Sequence, residues 1–527
     1  MSNKLSAHGN LSQTQTVKRR RFPIIPWIDL LRGASLFVAM LMLLYTEENW
    51  RGKRAWEIHK RELITKGEKL DWNDFRLAPV RAEQDFLKVS LMDSWFNRAT
   101  KNPDDAKRLI RSPDWLGKLA GFPPELSELK DWDHAKTADQ APAGGARAAT
   151  PAEELLKWFA GYETEFKELD TACERSHARL EGGFDQPFST NVVNYVNLRT
   201  VVQALSARAR ANLVLRHADD AMHDLVVIRR LMDVLQSAQP TLVSAMIRVA
   251  IVCLYVDIVT EGSREGVWQE PQWMSIQEQV RSLHLWADVA ESIRGGERAA
   301  VIHMLKKYPR KRLAERVVES FRLNSTPTRP TWMTAGGVYI LFAPRGWFHQ
   351  NLLLGSRHCY QPYLDAMGAG QDRIDARGLD QVINGSGDVL SQWSPYNMLA
   401  GVFTQNFIKG FQIASFIKGY QTVSKNQTLV NEAHVACGLE RYRGANGAYP
   451  ETLEALVPQF ASKLPHDLFD GKPRRYRRTD DGRYLLYSIG WNSKDDGGKM
   501  EPPKEGHPKA PWSDDKGDWV WPGVPKR

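Results

Sequence analysis

The sequence predicts a mainly α protein with a C-terminal α+β module: an N-terminal transmembrane anchor, a helical bundle or short solenoid, then a helix and a small antiparallel sheet. Three observations carry this. An apolar stretch follows a basic cluster near the N-terminus, apolar stripes recur at helical spacing between residues 198 and 256, and near the C-terminus the pattern changes to strand-like alternation around a glycine turn. At 527 residues the chain exceeds what one core ordinarily fills, so two or three domains are expected. Hydrophobic residues at 42% and charged residues at 25% are globular proportions, and a mean hydropathy of -0.44 excludes a polytopic membrane protein.

The first element is the anchor. Lys18-Arg19-Arg20-Arg21 precedes an apolar stretch from Phe22 to Tyr45, and its part from Gly33 onward carries no charge. At about 1.5 Å per residue only the longer stretch crosses a bilayer. Asp29 and Arg32 lie one turn apart, so they can pair and reach toward the headgroups. Thr46-Glu47-Glu48-Asn49-Trp50 follows without a small-residue cleavage site, which predicts an uncleaved signal anchor. The basic flank then orients the chain: residues 1–21 form a cytoplasmic tail, 22–45 the transmembrane segment, and the bulk is periplasmic, at a bacterial inner membrane. The partners expected are the inner membrane and other envelope proteins, with no nucleic acid. The net charge of +9 is spread out, and its denser runs at 18–21, 306–312 and 474–478 could meet lipid phosphates or nucleic acid but read first as solvated faces. Cys173, Cys253, Cys359 and Cys437 form no C-x-x-C pair, which argues against a thiolate zinc site and a disulfide scaffold.

Residues 46–150 read as a membrane-proximal spacer with some helix, closing in the low-complexity run Ala141-Pro142-Ala143-Gly144-Gly145-Ala146. Residues 151–423 form the helical domain. Leu198, Val201, Val202, Leu205 and Ala209 make one stripe; Ala221, Leu225, Ile228, Met232 and Leu235 the next; Leu242, Met246, Val249, Cys253 and Val256 a third. Asp219 suits the N-cap of the second helix and Pro240 the start of the third, so short turns join antiparallel helices. The pair spanning 207–235 resembles a tetratricopeptide-type hairpin, with Arg216-His217-Ala218 where that family has a glycine turn. Residues 242–259 are apolar enough to suggest a second span, but Arg248 and Asp257 interrupt them and predict a core helix. The short run 338–343, ended by Pro344-Arg345-Gly346, reads as a buried helix packed on the bundle.

Residues 424–527 form the α+β module. Leu429, Ala433, Ala436 and Cys437 line one helix face and Val435, Leu439 and Tyr442 a second; Asn446-Gly447 is a stop, and residues 450–454 open a short second helix. Strands follow at 474–478 and 483–489 around Asp480-Asp481-Gly482, with Tyr476, Leu485 and Tyr487 expected over the helix. The pieces Leu439-Glu440-Arg441-Tyr442-Arg443, Asn446-Gly447-Ala448-Tyr449-Pro450-Glu451-Thr452-Leu453 and Asp467-Leu468-Phe469-Asp470-Gly471-Lys472-Pro473, then residues 484–498, resemble the globular domain of the major pseudopilin of type II secretion. The resemblance covers about the last hundred residues, a small domain in size, and implies a module that folds by itself. Because the apolar polymerising helix and prepilin peptidase site of that family do not precede it, the module is expected not to polymerise. The whole chain is similar to large envelope proteins of planctomycete and verrucomicrobial type, a resemblance that carries no activity with it.

In the pseudopilin family the loop after the last strand binds calcium, which implies a metal site here at Asn492, Asp495, Asp496 and Asp518, near Asp514 and Asp515. Calcium takes several hard oxygen ligands, and a solvated Asx turn has the same composition. The one dense His/Asp group, His217, Asp219, Asp220, His223 and Asp224, places Asp219 and His223 on one helix face, though capping accounts for it equally. No H-E-x-x-H, G-x-S-x-G, Walker A or G-x-G-x-x-G motif falls at a suitable junction. The expected function is a membrane-anchored envelope scaffold or interaction protein without an evident catalytic site. The alternatives are an envelope hydrolase with a dispersed active site, or an accessory component of a type II secretion or pilus-like system.

Overall fold

The computed structural model describes residues 27–97, 123–130, 150–180, 184, 187, 193–236, 241–321, 335–368, 373–382, 396, 413–501 and 516–524. The chain is mainly helical, with a three-stranded antiparallel sheet near the C-terminus. Helix α1 (Trp27–Thr65) runs unbroken through two environments. Its first part, to Leu44, exposes its large apolar side chains, Trp27 at 80% and Leu36 at 72%, whereas Gly52, Trp56, His59 and Leu63 are buried. The exposed part is roughly nineteen residues or about 28 Å long, close to the thickness of a hydrocarbon core. By length and composition it is a candidate membrane anchor.

Of the stretch 46–150 that reads as a spacer, the described residues up to 97 belong to the body instead. The 3-10 turns Trp72–Phe75 and Phe86–Lys88 and helix α2 (Ser90–Phe96) bury Trp72, Phe75, Phe86, Leu87, Trp95 and Phe96. That much aromatic surface favours a core over a solvated linker. The run 141–146 lies outside the described residues.

Helices α3 (Leu126–Lys130), α4 (Pro151–Ala160) and α5 (Glu163–Cys173) lead into a bundle of α6 (Tyr195–Val214), α7 (Ala218–Gln236), α8 (Leu242–Arg264), α9 (Glu270–Arg281) and α10 (Leu285–Ser292). Two starts are written locally, by the capping boxes Thr150/Glu153 and Thr241/Ser244. The predicted stripes are the packed faces: Leu198, Val201, Val202, Leu205, Ala221, Leu225, Ile228, Val249 and Val256 are all buried. Helix α7 begins at Ala218, so Asp219 lies in its first turn rather than at the cap. Arg216 takes the left-handed φ of 65° that the glycine turn would supply, and its Nη1 is held by the Glu265 carbonyl at 2.6 Å. More than half of the apolar window of α8 is buried, at 56%, which makes it a core helix.

A second group of helices holds α1. A π-helical segment (Ile293–Ala299) leads to α11 (Ala300–Lys307), α12 (Arg310–Phe321), α13 (Ala335–Phe342) and α14 (Arg345–Gly355), and a second π segment (Ser356–Tyr360) to α15 (Gln361–Ala366). Helices α1 and α14 cross at Gly52 and Gly346, where a Cβ on either would overlap the other backbone. Asn49 Oδ1 accepts from the Gly346 amide and Glu48 Oε2 from Trp347 Nε1, both at 2.9 Å. Helix α13 departs from the buried helix expected: Ile340 is buried, but Val338 and Phe342 stand 45% and 67% exposed.

The last helix, α16 (Ile413–Asn446), ends at Gly447, whose φ of 78° marks the stop. A 3-10 turn (Leu453–Leu456) and strands β1 (Arg475–Arg478), β2 (Tyr484–Ser488) and β3 (Trp519–Val520) follow, with β2 central and both pairings antiparallel. Core-facing β2 residues are Tyr484, Leu486 and Ser488, not the expected Leu485 and Tyr487, which lie beside Gly498. The loop at Gly498 covers what would have been the solvent face, so alternation does not tell the faces apart. The boundary at 424 falls inside α16, which packs on α8, α9 and α10 as well as on β2. Leu429, Ala433, Ala436 and Cys437 share one continuous core with Val256, Trp286 and Leu486. Cys173 and Cys437 are buried free thiols and Cys253 a partly buried one.

Candidate functional site

The C-terminal loop gathers the four residues that the calcium resemblance implies. Asp518 is fully buried and its carboxylate accepts the amides of Asp496, at 3.0 Å, and Gly498, at 2.6 Å. Asp495 accepts from the Gly497 amide at 3.0 Å, Tyr487 Oη at 3.1 Å and Arg475 Nε at 3.3 Å. Burial opposes its ionisation, but these donors outweigh it and hold its pKa below the usual range. For Asp518 the balance is reversed: burial pushes its pKa up despite the two amides. Asn492 Nδ2 donates to Asp496 at 3.1 Å, and Lys494 Nζ lies 3.3 Å from the same carboxylate. The four thus sit together, with their oxygens engaged by amides and cations. Among the described residues no group of three or more His, Cys, Asp or Glu converges on one point; Asp514 and Asp515 lie outside those residues.

The His/Asp group at the start of α7 is divided among neighbours. Asp224 is buried against Arg208, His223 Nε2 meets Asp170 at 2.9 Å, and Asp219 accepts from Gln272 at 2.6 Å. These contacts fasten α7 to α5, α6 and α9.

A site that the sequence does not announce lies between the bundle and the C-terminal module. It is a cleft of about 1340 Å³, walled by α8, α9, α10 and α16, by residues 69–77 after α1, and by the 367–374 and 462–471 segments. The walls are fixed to each other. Gln427 on α16 bridges the Leu283 carbonyl and the Leu285 amide, at 3.0 and 2.7 Å, and the Ile374 amide donates to the Leu468 carbonyl at 2.7 Å.

Positive charge dominates the lining. Lys69, Arg76, Arg281, Arg294, Arg373 and Lys463 face Asp74, Asp288 and Glu291. Several are neutralised by a carboxylate, as in Arg294 with Glu68 at 3.2 Å and Arg281 with Glu278 at 2.7 Å. Arg373 and Lys463 are exposed, stand on two different segments and meet no carboxylate among the described residues. Deeper in the wall, Arg248 on α8 is 2% exposed and pairs with Asp288 through Nη1 alone. Its Nε and Nη2, together with Trp286 Nε1 and His434 Nδ1, are buried without a hydrogen-bond partner among the described residues. Burial lowers the pKa of both Arg248 and His434. A buried donor left unmade costs about 1–3 kcal/mol, and the wall shares this feature with other parts of the core, such as Arg474 Nε and Nη2. Arg248 was visible in the sequence only as a charge interrupting an apolar run. Trp286, Arg373, His434 and Lys463 carry no motif, and only the fold brings them to one cleft. Compared with family models, curated proteins and solved structures, the chain matches none.

Proposed function

We propose that this chain is a membrane-anchored scaffold or interaction protein of the bacterial envelope, with its bulk in the periplasm, whose cleft holds an anionic, oxygen-rich group of a partner or small ligand. The observation that carries the reading is the rim of the cleft, where Arg373 and Lys463 stand exposed on two segments and meet no carboxylate among the described residues. Carboxylate or phosphate oxygens supply the negative charge and the acceptors that these two rim cations favour. An envelope hydrolase is the second reading, because His284, His434 and His466 border the same cleft and histidine is the commonest general base. An accessory role in a type II secretion system rests on the pseudopilin resemblance alone, as does calcium at Asn492, Asp495, Asp496 and Asp518.

One set of melting curves on the full chain in detergent tests these readings. Inorganic phosphate or citrate should raise the midpoint saturably relative to chloride at equal ionic strength, since a ligand of the folded state stabilises it by mass action. The double variant Arg373→Glu, Lys463→Glu should lose that rise, and an equal rise in the variant would overturn the anionic cleft. In the calcium arm, wild type should melt higher in calcium than in chelator and the Asp495→Ala, Asp496→Ala variant should not; coincident wild-type curves would remove the site.

A further inference from the structure

We infer that helix α13 and the basic residues around its C-terminal end form a second membrane contact beside the anchor, seated in the interfacial layer and facing anionic lipid headgroups. The inference rests on the anchored reading of α1, and three independent placements support it. The first is level. Tyr45 closes the exposed apolar part of α1, and its hydroxyl donates to the carbonyl of Phe342, the last residue of α13. Whatever depth the anchor gives Tyr45, the end of α13 shares it.

The second placement is apolar surface. Val338 and Phe342 are spaced i, i+4, so they project from one face, and both are exposed, whereas Ile340 turns inward onto Leu313 and Phe348. Two exposed apolar side chains are unremarkable on a soluble surface. Here Phe342 stands at the level of Tyr45, where the exposed apolar stretch of α1 ends. The helix end is also prepared for a poorly hydrated setting: Arg310 Nη1 donates to the Leu341 carbonyl at 2.7 Å and the Ile340 carbonyl at 3.3 Å, acceptors that a helix C-terminus otherwise leaves to water.

The third placement is charge. Lys307, Lys311 and Arg345 are exposed and meet no carboxylate among the described residues. Arg345 lies close enough to Arg310 to add to burial in lowering its pKa. On α1, Trp50 is 57% exposed with the Arg54 guanidinium 5.1 Å from its ring centre, the pairing of aromatic and basic groups found at membrane interfaces. Within the run at 306–312, a solvated face by sequence, Lys306 stands over Trp56 further into the body, and Arg310 marks the end of α13 at the level of Tyr45. Cations at this level would meet the phosphates of any leaflet that carries anionic lipid, where juxtamembrane Lys and Arg gain about 1 kcal/mol each, or roughly fivefold in occupancy.

The test uses the full chain reconstituted in vesicles of phosphatidylcholine with phosphatidylglycerol, with a photo-cross-linking benzoylphenylalanine at Phe342, at Phe37 in the anchor, or at the exposed Val457 of the C-terminal module. Lipid adducts are expected from positions 37 and 342 and none from 457. In the Lys311→Glu, Arg345→Glu variant the adduct at 342 should fall by about fivefold or more in these vesicles, and stay unchanged in phosphatidylcholine alone. An adduct at 37 without one at 342 overturns the second contact while leaving the anchor intact. No adduct at 37 overturns the anchored reading, and this inference with it. A cross-link from 342 to a second copy of the chain would assign the patch to self-association and overturn the lipid contact.

Discussion

Helices α1 and α8 look alike to any measure of apolarity, and α8 is the better candidate span: its most apolar window has a mean hydropathy of 2.2 against 1.8 for α1. Yet the α1 window is wholly exposed and that of α8 is more than half buried. The difference lies in what meets their polar groups. In α8, Arg248 pairs with Asp288 of α10 and Glu261 with Arg210 of α6 at 2.7 Å, so neighbouring protein compensates each charge. In the exposed part of α1, Asp29 and Arg32 have only each other among the described residues, at 3.4 Å and largely exposed, and the ties to the body begin at Tyr45, whose hydroxyl donates to the Phe342 carbonyl. Hydropathy measures the cost of staying in water; whether a helix leaves water for protein or for lipid is set by where its polar partners are.

The largest expected effect is a charge placed in each helix. Val252→Asp puts a carboxylate at a fully buried position of α8, where an unpaired charge costs at least about 3 kcal/mol, so the chain in detergent should melt far lower or not fold. Leu36→Asp, near the centre of the exposed stretch, should leave that melt unchanged while costing roughly 2.5–3.5 kcal/mol of insertion. Circular dichroism melts and carbonate extraction of membranes read the two effects separately. If both variants lost stability equally, the exposed part of α1 would belong to the body and the contrast would collapse.

A smaller effect separates the two parts of α1 itself. Gly346→Ala forces a methyl into the Glu48 carbonyl, where two helix backbones already touch, and overpacking of this kind costs about 1–3 kcal/mol. Gly33→Ala meets nothing within 4 Å and should leave the melt of the body where it is. A Gly346→Ala chain with an unchanged midpoint would mean that α1 and α14 do not cross as closely as their glycines indicate.

Legibility in the sequence follows the same division. Spacing and local turn signals were enough to place the stripes on α6, α7 and α8, the Asn446-Gly447 stop and the two main strands. Where both faces are covered periodicity failed, as at β2, whose alternation inverted, and at residues 46–97, whose aromatic side chains enter the core without a regular period. The module boundary failed for a related reason. Helix α16 is apolar on two sides because it serves the sheet and the bundle together, and a helix shared in this way gives no composition shift at residue 424. The loop carboxylates could be located by type but not by what engages them. The cleft could not be read at all, since Arg248, Arg373, His434 and Lys463 lie far apart in the chain.

The smallest expected effect concerns acid and the seam that joins the two environments of α1. Glu48 is 8% exposed; its carboxylate accepts from Arg51, from Trp347 Nε1 at 2.9 Å and from Tyr396 Oη at 3.2 Å. Burial opposes its ionisation, but these donors outweigh burial and hold its pKa below the ordinary 4.5. A carboxylate whose folded pKa lies below its unfolded one binds protons less well in the folded chain. Its stabilisation is therefore present above that ordinary value and fades as the pH falls through the folded one. Glu48→Gln keeps the shape and removes the charge, so at neutral pH it should melt lower by the equivalent of about 1–2 kcal/mol, the scale of hydrogen bonds to an ionised group. As the medium is acidified past the ordinary carboxylate range, wild type should converge on the variant. Asp29→Asn, in a pair that makes no contact with the body among the described residues, should leave the melt of the body unchanged. Melts of the three proteins along a pH series decide the matter: a Glu48→Gln gap that stays constant into acid would mean that shape alone, and not charge, holds the anchor to the body at this point.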